Sequence, residues 1–278
     1  MAPRGPLRIP AFRTLWAAGL ISDTGDWLLL VALPIVVFGL TGSALGTACA
    51  FAAELAPGIV LAPVGGRLAD AVDRRGLLIA VSALQALAVL PLLLVRGGHG
   101  LTVVYAVIVV QASLAALFHP AKNALVPTLV DSGQLVSANS LVGLAAAAGR
   151  LAGGPLGGLL LAAGSLRTIV AADALSFVLA GLLIARLPRT QPRRGARDER
   201  DVRDERGAGE PREGRAAREL SAGGLRAVLR TRAVVAGLLV ALVAEIAQGI
   251  FVVLFIVFVA RRLDGGAAEI GLLRGVQA

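Results

Sequence analysis

Apolar residues in this chain gather in long blocks that are separated by short polar breaks. A transmembrane helix needs about 20 mostly apolar residues to cross roughly 30 Å of hydrocarbon. Seven blocks reach that length, and an eighth begins at Ala267 and continues to Ala278. The pattern predicts membrane-spanning helices over residues 15–40, 44–68, 77–95, 101–118, 135–163, 168–187 and 233–260. We therefore expect an all-α integral membrane protein.

Composition supports this class and excludes others. Of the 278 residues, 56% are hydrophobic and 16% charged, which is too apolar for an ordinary soluble domain. The net charge of +9 would suggest a nucleic-acid partner in a soluble chain, but most basic residues lie between the apolar blocks, so we expect none. The single cysteine, Cys49, excludes an intramolecular disulfide, and the separated His99 and His119 supply no metal-binding cluster. No metal or other cofactor is expected.

The distribution of basic residues predicts the orientation, because positively charged loops are retained in the cytoplasm. With the N-terminus inside, 21 Lys and Arg residues fall on the inner side and four on the outer side. Lys122 is counted among the inner loop charges.

We expect a cytoplasmic N-terminus at 1–14, six spans over 15–187, an Arg-rich cytoplasmic linker over 188–232, and one full span with the start of another over 233–278. Within the linker, residues 220–230 fit either a surface-lying amphipathic helix or a solvated tether.

The loop after the second span carries a recognisable motif, GGRLADAVDRRGLL at 65–78. It resembles the signature loop of the major facilitator superfamily, G-x-L-A-D-x-x-G-R-R-x-x-L, with departures at Ala71 and Asp73. Gly66 would permit close helix approach, and Asp70 could accept hydrogen bonds from a helix N-terminus or from nearby arginines. The resemblance implies that Asp70 latches the N-terminal bundle to a helix of a C-terminal bundle. The alternative is ordinary inner arginines beside an incidental aspartate. The matching residues are Gly66, Leu68, Asp70, Arg74 and Arg75.

The fifth span contains two series of glycines at four-residue spacing, which favour close packing with other helices. Pro155 predicts a bend within this span. The segment resembles the G-P-x-x-G-G stretch of exporters in the same superfamily, and a pure packing role explains the glycines equally well. The residues are Gly149, Gly153, Gly154, Pro155, Gly157 and Gly158.

Short runs at 21–27, 135–140 and 173–177, with a turn expected at 118–121, are similar to the drug and siderophore exporter branch, which includes macrolide and enterobactin efflux proteins. Members of the superfamily hold substrate between two six-helix bundles. The resemblance implies an N-terminal six-helix bundle plus the first helix of the second bundle. We therefore expect a chain truncated after about seven spans, unable to perform alternating access by itself.

Charged residues inside the spans are candidate functional residues, because charges in hydrocarbon are costly. Asp26, Glu54, Arg150 and Glu245 fall at comparable depth, with Asp23 one turn before Asp26. Burial favours the neutral form of a carboxyl group, so such a group can load and release a proton near neutral pH. The resemblance places Asp26 and Glu245 on cavity-lining spans, and they rank first for proton coupling, with Glu54 third.

For two further polar residues the sequence leaves two roles possible, and for a third it predicts no role in transport. Arg150 would either pair with Glu54 or Asp26 or contact an anionic substrate. Asp173 would be a snorkelling or helix-pairing residue, and His119 a solvated turn residue.

Together these features predict a multi-pass plasma-membrane protein that acts as a secondary transporter rather than an enzyme. The expected activity is proton-coupled efflux of small amphipathic compounds, with the lipid bilayer, a small-molecule substrate and protons as partners. The sequence has no G-x-x-x-x-G-K-[ST] nucleotide-binding loop, so an ion gradient would drive transport. The alternatives are a lipid or lysophospholipid transporter, an inactive truncated membrane protein, and a membrane enzyme or receptor-like scaffold. The clustered aspartates that a polyprenyl-transfer enzyme needs do not occur in the sequence.

Overall fold

The computed structural model describes residues 5–95, 100–188, 232–263 and 265–276, and these are helical without strands. The chain forms two compact units, Met1–Thr190 with Val253–Ala278, and Gln191–Val252. The all-α fold is confirmed. The predicted linker over 188–232, including 220–230, falls almost wholly outside the described residues.

Within the described residues, eight α-helices lie at the eight predicted apolar blocks. Helices α1, α2, α4, α5 and α6 each contain a stretch long and apolar enough to cross a bilayer, and α3 reaches that length together with the 3-10 helix Leu90–Leu94 that follows it. The helices are α1 (Pro10–Thr41), α2 (Ala44–Ala71), α3 (Arg74–Ala88), α4 (Gly100–Leu129), α5 (Leu135–Ala163), α6 (Leu166–Ala185), α7 (Arg232–Arg262) and α8 (Ala267–Val276).

Helix α4 differs most from its prediction. It continues through Pro120 and Pro127 to Leu129, so the turn expected at 118–121 is wrong. The sequence places His119 and Lys122 directly after an apolar block, which is typical of a loop. These polar residues instead lie on a helix that continues inside the bundle.

Asp73, a departure from the signature motif, has a structural role at the start of α3. Its side chain accepts a hydrogen bond from the backbone N–H of Gly76 at 2.9 Å, which satisfies one unpaired donor of the helix N-terminus. Among the described residues near the signature loop, Gly65 and not Gly66 is the glycine at which α2 lies close to α4. A Cβ on Gly65 would collide with the carbonyl oxygen of Ala116 on α4, whereas a Cβ on Gly66 would meet nothing within 4 Å.

Two of the apolar clusters in the first unit lie one after the other along the helix axes. One contains Phe12 of α1 and Phe118 of α4, and the other contains Val37 of α1 and Ile169 of α6. On the same helices, buried polar side chains occupy the positions between these two clusters. This polar layer consists of Ser22, Asp23, Ser82, Gln85, Gln111, Asp173 and Ser176.

The glycines of α5 lie on two faces with different partners. Gly149, Gly153 and Gly157 pack against α1 over residues 23–28, whereas Gly158 packs against Gly271 of α8. Helix α5 continues through Pro155 to Ala163. Contact between backbones is possible because glycine has no side chain to keep the helices apart.

A matched pair of glycine substitutions tests the α1–α5 contact. A Cβ on Gly153 would lie 2.6 Å from both the Thr24 carbonyl oxygen and the Trp27 Cβ, whereas Gly143 on the same helix has nothing within 4 Å. We expect Gly153→Ala to lower the free energy of unfolding by about 1–3 kcal/mol through overpacking. Gly143→Ala should be neutral or stabilise the helix by up to about 1 kcal/mol. Thermal unfolding in detergent would measure both, and equal stability of the two variants would contradict the contact.

Candidate functional site

A cavity of about 380 Å³ lies among α1, α2, α4 and α5. Its lining is mostly apolar and includes a few charged and polar groups, a combination typical of small-molecule sites. The polar residues at the cavity are Asp23, Asp26, Glu54, Gln111, His119 and Arg150, and the apolar residues include Trp27, Leu30, Ile108, Ala115 and Ala146.

A buried ion pair joins α1 to α4 at the edge of this cavity. The Lys122 Nζ donates to both carboxylate oxygens of Asp23, at 3.0 and 3.1 Å, and both side chains are buried. Gly19 leaves room for the lysine, because a Cβ there would lie 3.3 Å from the Lys122 Cδ. The prediction that Lys122 is an inner loop charge is therefore wrong. Without Lys122 in the count, the basic residues expected on the inner side still greatly outnumber those expected on the outer side.

Asp26 lies one turn after Asp23 on α1 and is half-buried at the cavity. His119 of α4 also lines the cavity and is exposed there, so the expected solvated turn residue is instead a cavity residue. One side-chain ligand atom from each of Asp23, Asp26 and His119 lies within 4.8 Å of the others. The sequence pattern placed His119 in a turn, so it did not predict that this histidine lies beside two acids of α1. Because the Lys122 ammonium already neutralises Asp23, the free acidic charge of this group rests on Asp26.

The spacing of these residues in the sequence is consistent with a contact between α1 and α4. Asp23 and Asp26 are three residues apart on α1, and His119 and Lys122 are three residues apart on α4, so each pair shares a helix face. Had α4 been expected to continue past Phe118, this spacing would have indicated an acidic pair on α1 that faces a basic pair on α4.

Arg150 of α5 enters the cavity above an aromatic ring. Its guanidinium carbon lies 5.2 Å from the centre of the Trp27 ring, which is a cation–π distance. Its buried Nε has no hydrogen-bond partner, and within the described part of the chain Arg150 forms no ion pair. The predicted pairing with Glu54 or Asp26 is therefore not formed there. Glu54 lines the same cavity from α2.

The remaining predicted residues lie elsewhere. Glu245 is on α7 in the unit Gln191–Val252, and its side chain, like that of Asp70, is outside the described structure. The signature-loop arginines join neighbouring helices: Arg74 donates to the Ala124 carbonyl at 3.1 Å and Arg75 to the Ala185 carbonyl at 2.5 Å. Leu68 is half-buried.

In the described part of the chain, six helical stretches of bilayer length, with a partly polar cavity among four of the helices, define a multi-pass membrane protein. The sequence pattern of the Major Facilitator Superfamily matches residues 15–276, and the chain belongs to that family. It is 33% identical over 177 residues to the uncharacterized MFS-type transporter YfiS of Bacillus subtilis (strain 168). That match covers 63% of this chain and 42% of the relative. The exporter branch and the truncation stay predictions.

Proposed function

We propose that the cavity is the substrate- and proton-binding site of a proton-coupled exporter of small amphipathic compounds in the plasma membrane. The observation that carries the proposal is the position of Asp26. It is a half-buried carboxyl group on a largely apolar cavity, next to an acid already neutralised by Lys122. Such a group offers one exchangeable charge beside an apolar surface, which suits an amphipathic cation.

The exchange is a competition for one carboxylate. When Asp26 is ionised, it attracts the cationic group of a substrate, and the apolar lining covers the rest of the molecule. When a proton binds the Asp26 carboxylate, the charge that held the cation is lost and the substrate leaves. Binding and release then alternate with proton loss and uptake, as antiport requires. Glu54 adds a second acidic group to the cavity, and we propose Glu245 as a further coupling residue.

The proposal is tested with ethidium, a fluorescent amphipathic cation, and the purified 278-residue chain in detergent. Over the pH range in which Asp26 binds its proton, exchange of one proton per ligand makes the apparent Kd rise about tenfold per pH unit of acidification. Saturable binding with this dependence supports the proposal. Saturable binding with no pH dependence would contradict proton exchange, and absence of saturable binding would contradict a site for amphipathic cations.

Transport of lysophospholipids is a second candidate because Arg150, a cation without an ion pair in the described structure, lies at the cavity above Trp27. A guanidinium binds phosphate well. In that case Arg150→Gln would abolish binding of lysophosphatidylcholine, whereas for the exporter it would leave ethidium affinity equal or higher. Binding of ethidium but not lysophosphatidylcholine favours the exporter, and the reverse favours the lipid transporter.

The orientation, with a cytoplasmic N-terminus, is proposed from the distribution of basic residues. We expect a cysteine at Gly164, after α5, to react with an impermeant reagent in intact cells. A cysteine at Ser132, before α5, should react only after the membrane is opened. Both positions are exposed, and a Cys49→Ala background removes the native thiol. Labelling of position 132 but not 164 in intact cells would reverse the orientation.

The signature loop completes the proposed mechanism. We propose that Asp70, with Arg74 and Arg75, acts in the conformational switch between inward and outward states. The contacts of the two arginines with α4 and α6 support this role, because they connect the loop to helices of the first unit.

A further inference from the structure

Asp173 on α6 is a buried acid that the cavity does not use. Its relative exposure is 0%, and neither carboxylate oxygen has a hydrogen-bond partner among the described residues. The Ser176 hydroxyl donates to the Asp173 backbone carbonyl at 2.8 Å and not to the carboxylate. Complete burial excludes the snorkelling role that the sequence suggested.

The acid lies against the backbone of α1, beside the residues that line the cavity. A Cβ on Gly25 would lie 2.8 Å from the Asp173 Oδ1 and would collide with the Ser176 Oγ. Gly25 immediately precedes Asp26. Helix α1 therefore presents Asp26 to the cavity and Gly25 to Asp173.

The charges around Asp173 come mainly from α1. Asp26 directly follows Gly25, the residue of α1 against which the Asp173 carboxylate lies, and the charge of Asp23 is compensated by Lys122 from α4. Helix α3 contributes the uncharged Ser82 and Gln85 to the polar layer. On α5, Arg150 lines the cavity, as does His119 on α4. In the described structure no cation pairs with Asp173.

An ionised carboxylate without a partner is strongly disfavoured in a dry interior, whereas the neutral acid is tolerated. We propose that Asp173 is a second proton-binding site, behind α1 and outside the cavity, and that its proton occupancy is coupled to the charge on Asp26. The site binds one proton reversibly: the carboxylic O–H bond forms when a proton arrives from water and breaks when it returns.

The coupling follows from electrostatics between the two acids. A negative Asp26 favours the proton on Asp173, and neutralisation of Asp26 by a proton or cation weakens that preference. Events in the cavity would thereby change the charge at the α1–α6 contact. The proton site stands independently of transport, whereas its coupling to substrate rests on the proposed function.

Infrared spectroscopy of the 278-residue chain in lipid nanodiscs tests the site without a transport assay. A buried neutral acid gives a carbonyl-stretch band distinct from that of a carboxylate. We expect this band at neutral pH, and Asp173→Asn should remove the component that persists in Asp26→Asn. Asp131→Asn is the matched control, because Asp131 is exposed in the turn between α4 and α5. It should leave the band unchanged.

Titration of Asp26→Asn tests the coupling. The Asp173 component should be lost at lower pH in this variant than in the unmodified chain, because a neighbouring negative charge has been removed. An Asp26→Asn variant that lacks any neutral-acid band at neutral pH would overturn the proton site. An unchanged titration would overturn the coupling. Both outcomes are independent of ethidium binding, and they keep the proposal falsifiable even if Asp173→Asn does not fold.

Discussion

Replacing Asp26 with asparagine is expected to abolish the pH dependence of ethidium binding and to weaken that binding by about tenfold or more at neutral pH. The amide keeps nearly the shape of the acid but cannot ionise, so the attraction to the cation is lost along with the exchangeable proton. Fluorescence titration across a pH series measures both effects.

The Asp26 prediction has a matched control in the same chain. Asp131→Asn removes an identical charge from an exposed turn outside the cavity and should leave both the affinity and the pH dependence unchanged. If Asp26→Asn retained the affinity and pH profile of the unmodified chain, Asp26 would not be the exchanging group. Equal loss in both variants would point to the overall charge of the protein instead.

Replacing Lys122 with methionine is expected to cause the largest loss of stability, about 3–5 kcal/mol in the free energy of unfolding. The variant leaves the Asp23 carboxylate buried without its partner, and the cost of that uncompensated charge exceeds the cost of the lost contact. Chemical denaturation in detergent would measure the difference. The double variant Asp23→Asn/Lys122→Met should recover most of the loss, because neither charge remains.

Arg167→Met is the control for the loss of a positive charge, because Arg167 is exposed at the start of α6. It should change stability by less than about 0.5 kcal/mol. A Lys122→Met variant as stable as Arg167→Met would contradict a buried ion pair. Failure of the double variant to recover stability would show that packing of the lysine side chain, rather than charge, is what matters.

The helices were predictable because bilayer length and hydropathy are properties of consecutive residues. Helix α5 begins and ends at the predicted residues 135 and 163. The end of α4 was not predictable from hydropathy, since Lys122 and two prolines after an apolar block are typical of a loop. Only the position of Asp23 on another helix explains how α4 can continue with a buried lysine.

The cavity was partly predictable for the same reason. Depth along a span is a function of residue number, and it brought Asp26, Glu54 and Arg150 to one level. The direction in which a side chain points depends on helix packing, so the contact of Arg150 with Trp27 did not follow from depth. The close contact at Gly65 rather than Gly66 likewise depends on where α4 lies against α2.

Measuring proton release on ligand binding is a direct test of exchange between a proton and the substrate at Asp26. Ethidium is added to the purified chain in weakly buffered detergent solution, and the pH change is followed with bound ligand measured in parallel. We expect release of up to about one proton per bound ethidium, greatest at the pH where free Asp26 is fully protonated, and none from Asp26→Asn. Ethidium binding without proton release at any pH, or release that is unchanged in Asp26→Asn, would contradict proton exchange at Asp26.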